Sequence, residues 1–419
     1  MKKTVFIACL AALALLILPA GLLAQQGGKI SFGNLAVIPG IEIQGVYDDN
    51  IYKGNGKEYA GDPAKTRQER KESDWITHVK PSLFLNYGMQ ERGYIKAGYQ
   101  GDFAFYNKTN ENNWKNQQGI FDALYTAPGG LILGVADTYT NAEDPYGNAD
   151  QFGVGRVTKR WTNTLATKLG YNIMSNFRAL VYYNNNKQQY KDIADYSQDY
   201  TENEYGVGVE SRFMPKTWGF LRFHHGRREY TTLAAGMTKD RTSDYKWNRV
   251  STGLTWDADA KLSGELNVGY QWLTYDNEYA DVARTQRRGD KKTWVAATTI
   301  NYMATATTTL GLNVFRAMRS SAGNNNEQFT DTGIGVNVQQ QLMNKLTLLA
   351  GLNHSRNEYN LPVGNPREDK NYIANVGLNY AIQDWIGVGA GYTYNRKDST
   401  VETEEYRDNQ FMVSLKIVY

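Results

Sequence analysis

From Trp75 the chain alternates between two kinds of side chain. Trp75, Thr77, Val79, Pro81, Leu83, Leu85 and Tyr87 occupy one set of positions, and Ile76, His78, Lys80, Ser82, Phe84 and Asn86 the other. A period of two marks a strand with one apolar face. The pattern returns at Leu262, Gly264, Leu266, Val268, Tyr270 and Trp272, set against Ser263, Glu265, Asn267, Gly269 and Gln271. It returns again at Tyr372, Ala374, Val376, Leu378, Tyr380 and Ile382, set against Asn371, Asn375, Gly377 and Asn379. Such runs last about 12 to 15 residues, whereas an average soluble strand has roughly 5 to 6 and a tilted strand crosses a bilayer with roughly 9 to 11.

About eighteen of these runs follow one another. They start near Ile41, Trp75, Ile95, Gly119, Leu131, Val157, Phe177, Tyr205, Gly219, Arg249, Leu262, Thr293, Thr308, Thr330, Leu346, Tyr372, Ile386 and Asn409. Short turns, such as Pro128 to Gly130, Met214 to Thr217 and Gln383 to Asp384, take turns with longer polar links, such as Lys53 to Ser73, Asn184 to Tyr200, Thr231 to Asp244 and Asn395 to Arg407. The last outward residue before a short turn is aromatic at Tyr87, Tyr125, Tyr171, Phe213, Trp256, Tyr302 and Tyr380, and the sequence ends on Tyr419; only the run ending near Gln340 breaks the series. Amphipathic rings sit best where hydrocarbon meets headgroup, so this series reads as an interfacial girdle. The pattern predicts an all-β fold: a transmembrane antiparallel β-barrel of about 18 strands, with short periplasmic turns and long extracellular loops. A β-propeller or a soluble sandwich would turn its apolar positions inward, while here the positions left for the inside are rich in Asn, Gly, Gln, Lys and Arg.

Composition narrows the reading. With 41% hydrophobic and 13% aromatic residues the chain is not disordered, and beyond the N-terminus no stretch reaches the roughly 20 apolar residues of a spanning helix. Lys and Arg number 46 against 43 acids, a balance that offers no basic field for nucleic acid. Lys2 and Lys3, an apolar run from Val5 to Leu18 and small residues up to Ala24 read as a secretory signal over residues 1–24. A periplasmic segment at 25–38 and a barrel at 39–419 are then expected. The single cysteine, Cys9, lies inside the signal, so thiol chemistry is not expected of the mature chain.

Two stretches carry a family resemblance. Phe411, Val413, Leu415, Ile417 and Tyr419, with Gln410, Met412, Ser414 and Lys416 between them, look like the terminal strand by which the barrel assembly machinery recognises outer-membrane barrels. Tyr47-Asp48-Asp49-Asn50-Ile51-Tyr52, followed by Ser73-Asp74-Trp75-Ile76 and Val79-Lys80-Pro81-Ser82-Leu83, resembles the putative β-barrel porin 2 family of Gram-negative outer-membrane proteins. The resemblance implies a porin-like channel or a role in exopolysaccharide export, with outer-membrane lipid, lipopolysaccharide and periplasmic export proteins as partners. It implies no catalytic residue.

The candidate chemistry lies on the inward positions. Arg160, Lys168, Arg178, Arg212, Arg222 and Arg249 fall there on six successive strands, with Glu204 and Glu210 as the nearby acids. Later strands present Asn267, Asn313, Asn337, Asn353, Asn375 and Asn379. One wall is therefore expected to be basic and to favour anions, and the other to be a field of amides suited to sugars. No link stands out as an inward-folding constriction, which suggests a wide conduit. Asp137, Asn163, Arg316 and His354 interrupt the apolar face, the first and last two near strand ends. Asp48, Asp49, Asn50, Glu69, Glu72 and Asp74, and separately Glu402, Glu404 and Glu405, could supply oxygen ligands, but solvated loop charge is the reading adopted for both. His354-Ser355 and His224-His225 are adjacent in sequence and so point to opposite faces of a strand, which disfavours a hydrolase dyad or a metal site. No metal, cofactor or enzymatic activity is expected.

Overall fold

The computed structural model describes residues 29–57, 71–145, 157–192, 198–231, 243–257, 260–279, 287–320, 328–359 and 367–419. The signal reading falls outside these residues, as do Glu69 and most of the first long link. The strands are β1 Ile30–Phe32, β2 Leu35–Asp48, β3 Asp74–Gly88, β4 Gly93–Tyr106, β5 Trp114–Thr126, β6 Leu131–Asp144 and β7 Thr158–Met174. They continue as β8 Phe177–Tyr190, β9 Tyr200–Met214, β10 Thr217–Tyr230, β11 Tyr245–Trp256, β12 Leu262–Tyr275 and β13 Lys291–Met303. The last six are β14 Thr308–Ser320, β15 Gln328–Met343, β16 Leu346–Tyr359, β17 Arg367–Gln383, β18 Ile386–Ser399 and β19 Tyr406–Val418. From β2 onward each strand pairs antiparallel with the next, and β19 returns to β2 with Gln410 opposite Asp48 and Val418 opposite Gly40. Eighteen strands thus close on themselves, and closure removes the edges that a sheet in lipid could not satisfy.

The expected strand starts lie within a few residues of those found. The larger differences are that β2, β5, β9, β11 and β17 start four to six residues earlier than expected and that several strands end later. The barrel begins at Leu35, not residue 39, because β3 extends to Gly88 and its last residues need partners: Leu35 lies opposite Tyr87 and Ile38 opposite Phe84. On the other edge of β2, β19 stops opposite Gly40, and β1 takes over below it, pairing Ile30 with Val37. At the far end the strands outrun the expected links. β8 continues to Tyr190 and β18 to Ser399, where both faces are polar and alternation no longer distinguishes strand from loop.

Outward positions carry the exposed large apolar residues, among them Val181, Leu221, Leu352 and Val413, each more than half exposed. The side chains buried on the inward positions concentrate toward the extracellular ends. Ile76, Ala104 and Tyr106 cluster with Ile51 and Tyr52, and Tyr245, Trp247, Leu273 and Tyr275 form a second cluster. That second cluster includes Met318, which lies on an outward position of β14 yet is only 2% exposed. The pairing explains how. β13 and β14 are joined only from Ala296 opposite Arg316 to Met303 opposite Thr309, although both strands continue upward. Above Ala296 the upper end of β14 stays with β15 and leaves β13, so its outer face can meet residues that line the interior.

Candidate functional site

The alternation sets the geometry of the inner wall, and the six basic residues all fall on inward positions. They do not form a free basic ladder. Arg160 donates to Asp144 at 2.6 Å, Arg178 to Glu210 at 2.5 Å, and Arg212 to Asp257 at 3.1 Å. Arg222 bridges Glu210 at 2.9 Å and Glu265 at 3.0 Å, while Arg249 reaches Glu204 at 3.0 Å. The acids were underestimated from sequence because Asp257 and Glu265 lie two strands along from the arginines they serve, and Asp144 stands at the very end of β6, across the long link from Arg160. Taking these charges out of bulk water is tolerable only with such pairing. Aromatic rings lie beneath several guanidinium groups, with Arg178 4.0 Å from the centroid of Trp218 and Arg222 3.8 Å from that of Phe220. Of the six, only Lys168 has no carboxylate partner among the described residues.

Below its extracellular end the opposite wall, β14 to β18, is uncharged and ordered in a way the sequence list of amides did not reveal. Asn313 lies opposite Gly335, Asn337 opposite Gly311 and Gly351, Asn353 opposite Gly335, Asn375 opposite Gly351, and Asn379 opposite Gly389. Asparagine and glycine therefore alternate both along and across the strands. The amides of Asn337, Asn353, Asn375 and Asn379 lie over the facing glycines, so closely that a Cβ at Gly311, Gly335, Gly351 or Gly389 would collide with an amide oxygen. Laid flat in this manner the amides project little from the wall, and Asn337, Asn353 and Asn375 are exposed. Asn267, on β12, belongs instead to the charged wall, where it donates to Glu265 at 2.8 Å.

The lumen is not uniformly wide. At the extracellular end Arg228 is fully buried and paired with Glu202, which also accepts from Trp247 Nε1 at 2.9 Å. Arg319 pairs with Asp331 at 2.5 Å, and Phe329 stacks on Tyr359 with ring centroids 4.5 Å apart. Buried inward side chains at this level correct the expectation of a wide conduit throughout: the open water-facing surface is the amide wall below.

On the outer face Tyr87, Tyr171, Phe213, Tyr302, Tyr380 and Tyr419 are exposed, and Tyr125 and Trp256 half-buried, all near the short turns. A second aromatic ring, missed because only the short turns were inspected, stands nearer the extracellular ends: Trp75, the stacked pair Tyr139 and Trp161, Tyr183 with Tyr205, Trp294, Tyr372 and Phe411. Trp294 stands eight residues from Tyr302, and the same step separates Phe411 from Tyr419. For tilted strands that is about 20 Å, close to the roughly 25 Å apolar band of outer-membrane barrels. Asn163 lies within this upper ring, opposite Tyr139, and donates to Asp137 at 2.9 Å, so the two polar interruptions satisfy each other. Arg316 reaches Thr293 and Thr332, and His354 stacks on Tyr372 at 4.6 Å while Ser355 sits on the other face. His224 is inward against Glu204 at 2.8 Å, and His225 outward beside Asn248 at 2.9 Å.

At the extracellular end of the barrel the carboxylates of Asp48, Asp49 and Asp408 converge, and the ammonium of Lys53 bonds to Asp48 at 2.9 Å and Asp408 at 2.7 Å. Asp74 is used differently, accepting from the backbone of Lys108 and Thr109. The first acidic cluster is thus split, and a lysine supplies its cation.

The model of the family described as putative beta-barrel porin 2 matches residues 25–419. The chain belongs to that family. It is a porin-like barrel channel of the outer membrane. No curated protein matches its sequence. Among solved structures the porin is similar to the outer membrane protein OpdK of Pseudomonas aeruginosa, at 12% identity over 91% of this chain and 99% of that one, with a TM-score of 0.43. A BenF-like porin of Pseudomonas fluorescens Pf-5 matches at 11% identity over 91% and 99%, with a TM-score of 0.45. OccK2 of Pseudomonas aeruginosa, solved with glucuronate, matches at 11% identity over 92% and 98%, with a TM-score of 0.45.

Proposed function

We propose that this porin passes hydrophilic, polyhydroxylated solutes, and that a segment of an exopolysaccharide chain handed over in the periplasm is the solute it suits best. The exposed asparagine–glycine wall of β14 to β18 carries this reading. Each amide offers both donors and acceptors to hydroxyl groups, and the glycines keep the surface flat enough for a polymer to slide. Its asparagine–glycine stretch offers no charge to hold a neutral sugar back, and many weak contacts suit conduction better than one tight site. Purified protein in planar bilayers should show discrete conductance steps that a neutral dextran oligomer interrupts. Persistent silence would overturn the channel reading and favour a closed structural or adhesive barrel, a second reading supported by the buried inward side chains at the extracellular end. Steps that dextran leaves untouched would remove the polysaccharide reading alone.

A further inference from the structure

The paired arginines leave one residue of the charged wall unanswered. Lys168 on β7 faces inward, three residues from Tyr171, near the periplasmic entrance. Directly across from it stand Gly134 on β6 and Tyr182 on β8, neither of which carries a negative charge. Its stem lies over Gly134, where a Cβ would come within 3.3 Å of Lys168 Cε. Arg178 and Arg222, of like sign, and Glu210 and Asp122, of opposite sign, are among the charged groups of this wall. Glu210 is already shared by Arg178 and Arg222, and Asp122 stands opposite Lys96. The other inward lysines are better provided for: Lys80 bonds to Gln44 at 2.7 Å beside Asp102, and Lys416 faces Glu42. Lys168 thus places an ammonium in a half-buried wall with no carboxylate in salt-bridge reach among the described residues, a position where an anion from the lumen would supply the counter-charge.

We propose that Lys168 is a seat for small anions, a carboxylate or a halide, at the periplasmic entrance, and that it alone among the six basic residues sets the charge preference of the pore. The five arginines contribute little because their acids cancel them at short range. The inference rests on the channel reading, so the test separates the two. In a potassium chloride gradient across a planar bilayer the wild-type pore should favour chloride. Lys168→Gln should lower the chloride-to-potassium permeability ratio about three- to fivefold, the effect of one charge a few ångströms from the ion in water. Lys168→Arg should keep the wild-type ratio. Heat-modifiable mobility on a gel reports that each variant is folded. Steps that persist with the ratio unmoved in Lys168→Gln would overturn the seat and leave the channel standing. If no steps appear, calorimetric titration of the detergent-solubilised barrel with potassium formate decides: saturable binding lost in Lys168→Gln supports the seat, and binding that is absent or unchanged overturns it.

Discussion

At the scale of single residues, the inner wall shows two ways of lining a wet interior. On one side, charge is balanced by charge. Removing Glu210 would leave Arg178 and Arg222 facing each other with half their partners gone, so Glu210→Gln should destabilise the barrel by about 1–3 kcal/mol in urea unfolding from lipid vesicles. An unfolding midpoint equal to the wild type would show that lumen water screens the triad. On the other side, small residues make room for amides. Gly351→Leu would drive Asn375 off the wall and should cut single-channel conductance while leaving folding intact, because the lumen can take the displaced amide. Outside the membrane, burial disfavours the Lys53 ammonium, but Asp48 and Asp408 more than offset this and hold it above the usual 10.5. Its contribution is therefore complete below that pH and disappears only as pH rises through the higher folded value. Lys53→Met should lower the thermal midpoint at neutral pH, with the gap to wild type closing only in strong alkali. Which residues face inward was legible from alternation. Most of their partners were not, since Arg212 and Asp257 stand 45 positions apart and meet only once the register is set.

At the scale of elements, β13 departs from its neighbours. Its ladder with β14 stops at Ala296, and its ladder with β12 skips Leu266 and Asn267, where Thr298 Oγ1 accepts from the Asn267 backbone at 3.2 Å. Backbone amides of residues 292–295 that point toward β14 should exchange with solvent well before those of residues 372–376 on β17, which have partners on both sides. Equal protection in a hydrogen-exchange experiment would mean that the seam is bridged in solution. Nothing in the sequence announced it, because β13 alternates as the other strands do. The strand starts and short turns were readable because apolar periodicity and interfacial aromatics are local signals. The upper reaches of the strands were not, because a sheet standing in water needs no apolar face.

At the scale of the whole molecule, Gly40 meets Val418 across almost the full described length. Bringing such distant segments together carries a loop-closure cost that no local contact offsets, so the cylinder must shut late. Until β19 has been made and delivered, β2 and whichever strand comes last present raw edges that invite pairing with any other chain in the periplasm. Once β2 and β19 pair, neither edge is left open. The integrity of the whole ring therefore comes down to one seam, the pairing of β2 with β19.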